Sequence, residues 1–292
     1  MEELFAPREY INVTFGRASV FKSALPALAL LAEKANLTLS SKDGLILRTM
    51  NDQVTGDVDA FLFVPSSVML DFSCKGGSYT FGVNLMMLVR ALEDASFDHL
   101  VNLFVTPKTR ILTVELENLS TGKCDLKSYD LEKAIKPPVD GVDPSKYEYN
   151  VLVGIPSDEF IRIFSQLEFG TPEVRIEISK NMLTFYIHKP IILRQELASC
   201  VIVGHLKEGP DVELKFPTCS VSSYMIAAKL TKMVWLCYSE KVPILLVIPM
   251  GALGTIHFYS RAVPDNSGPM SDWPGTPPVK RRLGNGLLNS SA

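Results

Sequence analysis

No run in this chain approaches the ~18 consecutive apolar residues that a membrane-spanning helix needs, although 47% of its 292 residues are hydrophobic. That composition points to packed cores. Cysteine is sparse and odd in number. Cys74, Cys124, Cys200, Cys219 and Cys237 are scattered, and none forms a C-x-x-C pair. This pattern favours reduced, mostly buried thiols in a cytosolic or nuclear protein over a disulfide framework. The four histidines, His99, His188, His205 and His257, lie far apart and read as strand or surface positions rather than ligands or bases. The net charge of −3 gives no overall basic excess, although a local basic stripe can be masked by acidic surface elsewhere. There is no Gly-rich phosphate loop, no G-x-S-x-G and no H-E-x-x-H. Asp57 and Asp59 sit two apart on a strand pattern, which reads as a solvated face before it reads as a carboxylate pair. The start, Met1-Glu2-Glu3-Leu4, carries no signal-peptide pattern. No enzyme, metal or cofactor is expected.

What the chain does have is duplication. Leu37-Thr38-Leu39-Ser40-Ser41-Lys42-Asp43-Gly44-Leu45 is answered by Val174-Arg175-Ile176-Glu177-Ile178-Ser179-Lys180-Asn181-Met182-Leu183. Tyr79-Thr80-Phe81 before one helical stretch is answered by Glu213-Leu214-Lys215-Phe216 before another. The offset is about 130–140 residues, a domain-scale repeat rather than a solenoid period. Such a length fits two domains. The expected division is an N-terminal domain over 10–118, a connector over 119–148, a second domain over 149–264 and a disordered tail over 265–292.

Helical spacing predicts helices near Ser19–Ala35, Leu85–Ala95, Ser157–Gln166 and Val221–Met233. Pro26 should either start the first helix or bend it. Asn84 is a candidate N-cap for the second. Alternating segments predict strands over much of the rest, including Gly44–Thr49, Val58–Phe63, Arg110–Glu117, Leu197–Val203 and Gly254–Ser260. Lys42-Asp43-Gly44 is a hairpin turn signal. Each helical region carries a cation: Arg17, Lys22 and Lys34 on the first, Arg90 on the second, Arg162 on the third, Lys229 and Lys232 on the fourth. If the helices share one face of a sheet, these cations form a surface that attracts phosphates without reading bases. Glu33, Glu93 and Asp94 dilute it.

Several segments, in order and spacing, resemble the sliding clamps of the proliferating cell nuclear antigen type. They are Met50 after Leu45-Ile46-Leu47-Arg48-Thr49, Phe81-Gly82-Val83-Asn84-Leu85, Pro156-Ser157-Asp158-Glu159-Phe160, Val242-Pro243-Ile244 and His257-Phe258-Tyr259. The resemblance spans about Ile11–Ala262. It implies an α+β fold of two similar clamp domains, with helices lining a ring and antiparallel sheets outside. It implies head-to-tail closure as a trimer through edge strands, here about Arg110–Glu117 and Glu196–Gly204. The implied function is a non-enzymatic, nuclear processivity factor that encircles double-stranded DNA and docks a polymerase, a clamp loader and other proteins with short clamp-binding peptides.

Carried over from the resemblance, Arg17, Lys22, Arg90, Arg162, Lys229 and Lys232 would face DNA. The partner-peptide groove would comprise Met50, Val54, Tyr129, Leu131, Ile135, Pro243 and Tyr259. Some positions depart from the family pattern. Glu93, Cys219 and Ile226 stand where cations are usual, Asn51 and Val54 replace an acidic residue and a histidine, and Pro137-Pro138 marks a longer connector. Those departures keep a heterotrimeric checkpoint clamp as the alternative. A duplicated-domain enzyme with an unrecognised site is a third reading. In the tail, Pro278-Val279-Lys280-Arg281-Arg282-Leu283 fits a nuclear import signal and Thr276-Pro277 a proline-directed phosphorylation site.

Overall fold

The computed structural model describes residues 11–50, 58–74, 77–136, 147–167, 173–179, 182–187, 193–197, 199–204, 212–218, 220–240 and 242–260. The first half runs β1 (Ile11–Phe15), α1 (Ala18–Ala29), β2 (Lys34–Ser40), β3 (Gly44–Met50), β4 (Val58–Val64), β5 (Asp71–Ser73), β6 (Ser78–Asn84), α2 (Leu85–Ala91), β7 (His99–Thr106), β8 (Ile111–Asn118), β9 (Cys124–Asp130) and β10 (Glu132–Lys133). The second half runs β11 (Val151–Pro156), α3 (Ser157–Phe164), β12 (Glu173–Ile178), β13 (Leu183–Ile187), β14 (Leu193–Leu197), β15 (Val201–Gly204), β16 (Val212–Pro217), α4 (Val221–Ala228), β17 (Met233–Tyr238), β18 (Leu245–Pro249) and β19 (Thr255–Ser260).

The duplication is visible in the strand order. One sheet is ordered β5-β1-β7-β8-β9, and the second half repeats it as β15-β11-β17-β18-β19. The order β6-β2-β3-β4 is repeated as β16-β12-β13-β14. All described pairings are antiparallel. The halves fuse where β19 pairs with β4, from Thr255 opposite Phe63 to Ser260 opposite Val58, giving a ten-stranded sheet. One face of the sheets carries the helices. α1 packs against α2 and α4, and α4 packs against α3, so the four helices form a row. Their inward residues are bulky aromatics beside small side chains: Phe21, Ala24 and Leu25 on α1, Phe160 and Phe164 on α3, Tyr224 and Ala227 on α4. Phe164 meets Phe216 edge-on at 5.7 Å, and Tyr224 meets Phe258 at 5.0 Å. Such large apolar areas dominate the stabilisation.

Several expectations are corrected. The first helix stops at Ala29 rather than Ala35, and Lys34 opens a strand. β2 is held on both sides, by β3 and β6, and that ladder outweighs the helix-forming residues Ala32-Glu33-Lys34-Ala35. Pro26 does not start the helix, which begins at Ala18 and runs through it. The second, third and fourth helices end at Ala91, Phe164 and Ala228, short of the expected ends. Lys229 and Lys232 therefore lie beyond α4. Asn84 does cap α2, its Oδ1 accepting from the Met87 amide at 3.1 Å. The first half's sheet extends past residue 118: a turn leads into β9, which pairs with β8 along its length. Arg110–Glu117 is thus an interior strand, and the edge is β9. The expected strand Leu197–Val203 divides into the end of β14 and β15, which edge different sheets. Asp59 is not solvated. It is buried and faces Arg48 at 3.8 Å, while Asp57 lies outside the described residues. Of the cysteines, Cys237 is buried, Cys124 exposed and Cys74 and Cys200 half-buried, all as free thiols. Cys219 lies outside the described residues, as do His188, His205 and the 265–292 tail.

Candidate functional site

Two surfaces carry the expected residues, one on each side of the ten-stranded sheet. Alternate residues of a strand face opposite ways. Phe258 of β19 touches Tyr224 of α4, so His257 and Tyr259 face away from the helices.

On the helix row, Lys22 is half-buried, and its Nζ donates to the carbonyls of Glu93 and Ala95, the latter at 3.3 Å. Arg90 is exposed in the last turn of α2, on the same side as Met86 and Met87, each 44% exposed. Arg162 lies one turn after Glu159 and donates to its Oε2 through Nη2 at 2.6 Å and Nε at 3.0 Å. That carboxylate holds the guanidinium pKa even higher than usual. Lys229 is exposed at the C-terminal end of α4, and Lys232 is exposed in the turn before β17. Arg17 is exposed just before α1, in a left-handed conformation at φ 61. Acidic residues share this side. Asp158 and Glu159 lie in the first turn of α3, and Asp94 pairs with Lys127 at 3.5 Å. The packing brings the cation-bearing helices together, and Glu159, paired with Arg162, offsets part of their charge.

On the opposite face, the chain after β9 is pinned to the first half. Leu131 is 6% exposed and packs with Tyr129 on the main core. Glu132 and Lys133 pair with Gly82 and Phe81 of β6. A side chain at position 82 would bring its Cβ within 2.6 Å of the Lys133 carbonyl, so only glycine allows this approach. Asn36, buried in β2, binds the Ile135 backbone reciprocally, accepting its amide at 2.9 Å and donating to its carbonyl at 2.7 Å. Lys34 adds an ion pair to Glu132 at 2.7 Å.

Tyr259 belongs to a second apolar cluster, with Phe61, Cys237 and Leu245 as its buried members and Ile46, Tyr147, Tyr149, Leu152 and Val247 around them. Phe61 and Tyr259 meet edge-on at 5.4 Å, directly across the junction of the halves. Tyr149 donates its hydroxyl to the carbonyl of buried Pro243 at 2.9 Å. Burial keeps Tyr149, Tyr259, Cys237 and neighbouring His257 uncharged near neutral pH. It pushes Tyr149 up, Tyr259 up to about 12 and Cys237 up to about 12, and it lowers His257 to about 4. An uncharged aromatic patch of this kind suits apolar anchors of a peptide. The expected groove thus divides: Tyr129, Leu131 and Ile135 on the first half's side, Pro243 and Tyr259 at the junction. Met50 ends β3 opposite Lys34, and Val54 lies outside the described residues. Sequence reasoning misses Phe61, Tyr147, Tyr149 and Cys237. Only the strand register, which places β4 beside β19, gathers them.

No family model matches the chain. It is 25% identical to the proliferating cell nuclear antigen of Chaetomium thermophilum over 254 residues, covering 83% of this chain and 94% of that protein. It is 23% identical to proliferating cell nuclear antigen 2 of Drosophila melanogaster over 227 residues, covering 75% of this chain and 84% of that one. Its fold is similar to the crystal structure of the proliferating cellular nuclear antigen of Entamoeba histolytica, with a TM-score of 0.72 at 21% identity, over 87% of this chain and 98% of the other.

Proposed function

From the premise that this is a divergent chain of the proliferating cell nuclear antigen type, with the clamp fold, we propose that it is one subunit of a homotrimeric DNA sliding clamp. The observation that carries the reading is a seam and its missing counterpart. Within the chain, β19 of the second half pairs with β4 of the first. The repeats of those two strands are β9 and β14, and among the described residues each has a hydrogen-bonded neighbour on one side only. An open edge is a template for another strand. β9 of one chain against β14 of the next reproduces the internal seam between chains. Head-to-tail contacts of this kind generate a ring when the rotation closes, and three subunits are what the family resemblance leads us to expect.

In such a ring the helix row faces the hole and duplex DNA passes through it without base-specific contact. Processivity comes from topology: a closed ring cannot leave sideways, so weak contacts suffice. The uncharged cluster at Tyr259 and Pro243, with the pinned segment Leu131–Ile135, receives the short peptides of a polymerase, a clamp loader and repair proteins. The nucleus is the compartment that fits.

Light scattering tests the assembly. A mass of three copies of the 32.3-kDa chain is expected. A chain that stays single at micromolar concentration, and closes a ring only with two different partner chains, would replace this reading with the heterotrimeric checkpoint clamp. Retention on circular duplex DNA, with release after linearisation, tests encirclement.

A further inference from the structure

The cations on the four helices and their C-caps are of two kinds, with Arg17 and Lys232, both exposed, flanking them in the chain before α1 and after α4. Lys22 and Arg162 are engaged. The ammonium of Lys22 sits on the carbonyls of Glu93 and Ala95, in the turn that follows α2. Carbonyls at a helix C-terminus lack intrahelical partners and form the negative end of its dipole. Lys22 reaches from α1 to two carbonyls just past that end of α2 and so ties α1 to the turn that follows it. Moving that ammonium to a phosphate would strip both carbonyls of their donor. Arg162 is likewise held by Glu159, and the pair is neutral when seen from a few ångströms away.

Arg90 and Lys229 are different. Each is exposed at the C-terminal end of its helix, α2 and α4. Among the described residues neither makes a salt bridge or a side-chain hydrogen bond. They can meet a phosphate without breaking a bond. On α2 the neighbours of Arg90 on its exposed side are Met86 and Met87, and past the helix end Lys127, which donates to the Arg90 carbonyl at 3.4 Å, is paired with Asp94.

Resting on the DNA-clamp reading above, we infer that Arg90 and Lys229 make the phosphate contacts of the helix row, while Lys22 is a positioning residue that fixes α2 against α1 and touches no phosphate. The helices then hold DNA by few cations that carry no competing partner. Such contacts break and reform cheaply, which favours sliding.

The test measures the affinity of the full-length assembled protein for a short duplex between about 50 and 200 mM salt. Arg90→Met and Lys229→Met should each flatten the log–log salt slope by about 0.9 for every phosphate that the side chain no longer neutralises. Each should weaken binding several-fold at the low-salt end with an unchanged Tm. Lys22→Met should keep the wild-type slope and lower the Tm, and Lys22→Arg, which can still donate to both carbonyls, should restore the Tm. Arg162→Gln should leave the slope unchanged. The assignment is overturned if Lys22→Met flattens the slope, or if Arg90→Met and Lys229→Met leave it at the wild-type value. The second result needs only the two exposed-site variants, so it stands even if Lys22→Met fails to fold. A wild-type protein with no salt-dependent affinity for DNA defeats the clamp reading itself, which is a distinguishable outcome.

Discussion

The seam between β19 and β4 and the edges β9 and β14 occupy the same two positions of a duplicated layout, one pair joined and the other open. At the seam, Tyr259 on the outer side of β19 is 3% exposed and packs against Phe61. On the outer side of β9, Leu126 is 60% exposed, with Cys124, Ser128 and Asp130 exposed beside it. Equivalent strands thus differ in shelter because one has found a partner. Burial here follows from pairing as much as from residue type, and the exposed leucine on β9 marks where the proposed contact between chains is tested.

The open edge is the first place to perturb, because the effect there is all or none. Leu126 lies directly across from Glu115 on β8. Leu126→Lys places an opposite charge beside that carboxylate and also blunts the edge, as lysines do on natural edge strands. The chain's own stability should change by no more than about 0.5 kcal/mol. The mass by light scattering should fall from three copies to one.

At the joined seam, Gly254 holds φ 152, and a Cβ there would stand 1.9 Å from the Phe63 carbonyl of β4. Gly254→Ala forces the two strands apart and should cost about 3 kcal/mol or more in urea denaturation, since both the clash and the backbone conformation oppose it. The same change at an unstrained loop glycine costs little, so the contrast locates the seam.

Next in size is a pH effect at the same strand. His257 is lowered to about 4 by burial, while in the unfolded chain it titrates near 6.5. The folded state therefore binds fewer protons than the unfolded state between those values. Stability is full above about pH 6.5 and falls as pH drops toward 4, by about 2.5 kcal/mol near pH 4.5. In His257→Gln this contribution to the pH dependence should vanish across that window, read from the urea midpoint. Parallel curves for the two proteins would mean that His257 titrates normally.

The smallest effect belongs to the segment after β9. Asn36→Ala removes both bonds to Ile135 and should cost about 1–2 kcal/mol. It should speed amide exchange at Ile135 while leaving exchange across the β4–β19 seam unchanged.

Much of this architecture is legible in the residues themselves, and what is not legible has physical causes. The four helices, the Lys42-Asp43-Gly44 hairpin and the Asn84 cap are local features, and local chemistry specifies them. Periodicity overextends the first helix because good helix formers continue into a strand, and the ladder that claims Lys34 comes from β3 and β6. β9 reads as connector because Cys124-Asp125-Leu126-Lys127-Ser128-Tyr129-Asp130 lacks β-branched residues and shows the weak alternation of a half-exposed edge. The cations are plain in the sequence, but not their engagement. Lys22's acceptors lie 71 and 73 residues away, which no spacing rule reaches. Asp59 looks solvated because its partner, Arg48, is on a neighbouring strand.

The continuous ten-stranded sheet also has a mechanical meaning. Six residue pairs between β4 and β19 lock the halves into a single stiff arc, so neither half can swing on the other without unzipping a ladder in the protein's interior. An assembly of such arcs has its compliance between chains. If it is to be threaded by a closed loop of DNA, the gap that admits the strand must open at β9 and β14, at the cost of one joint and with every arc intact.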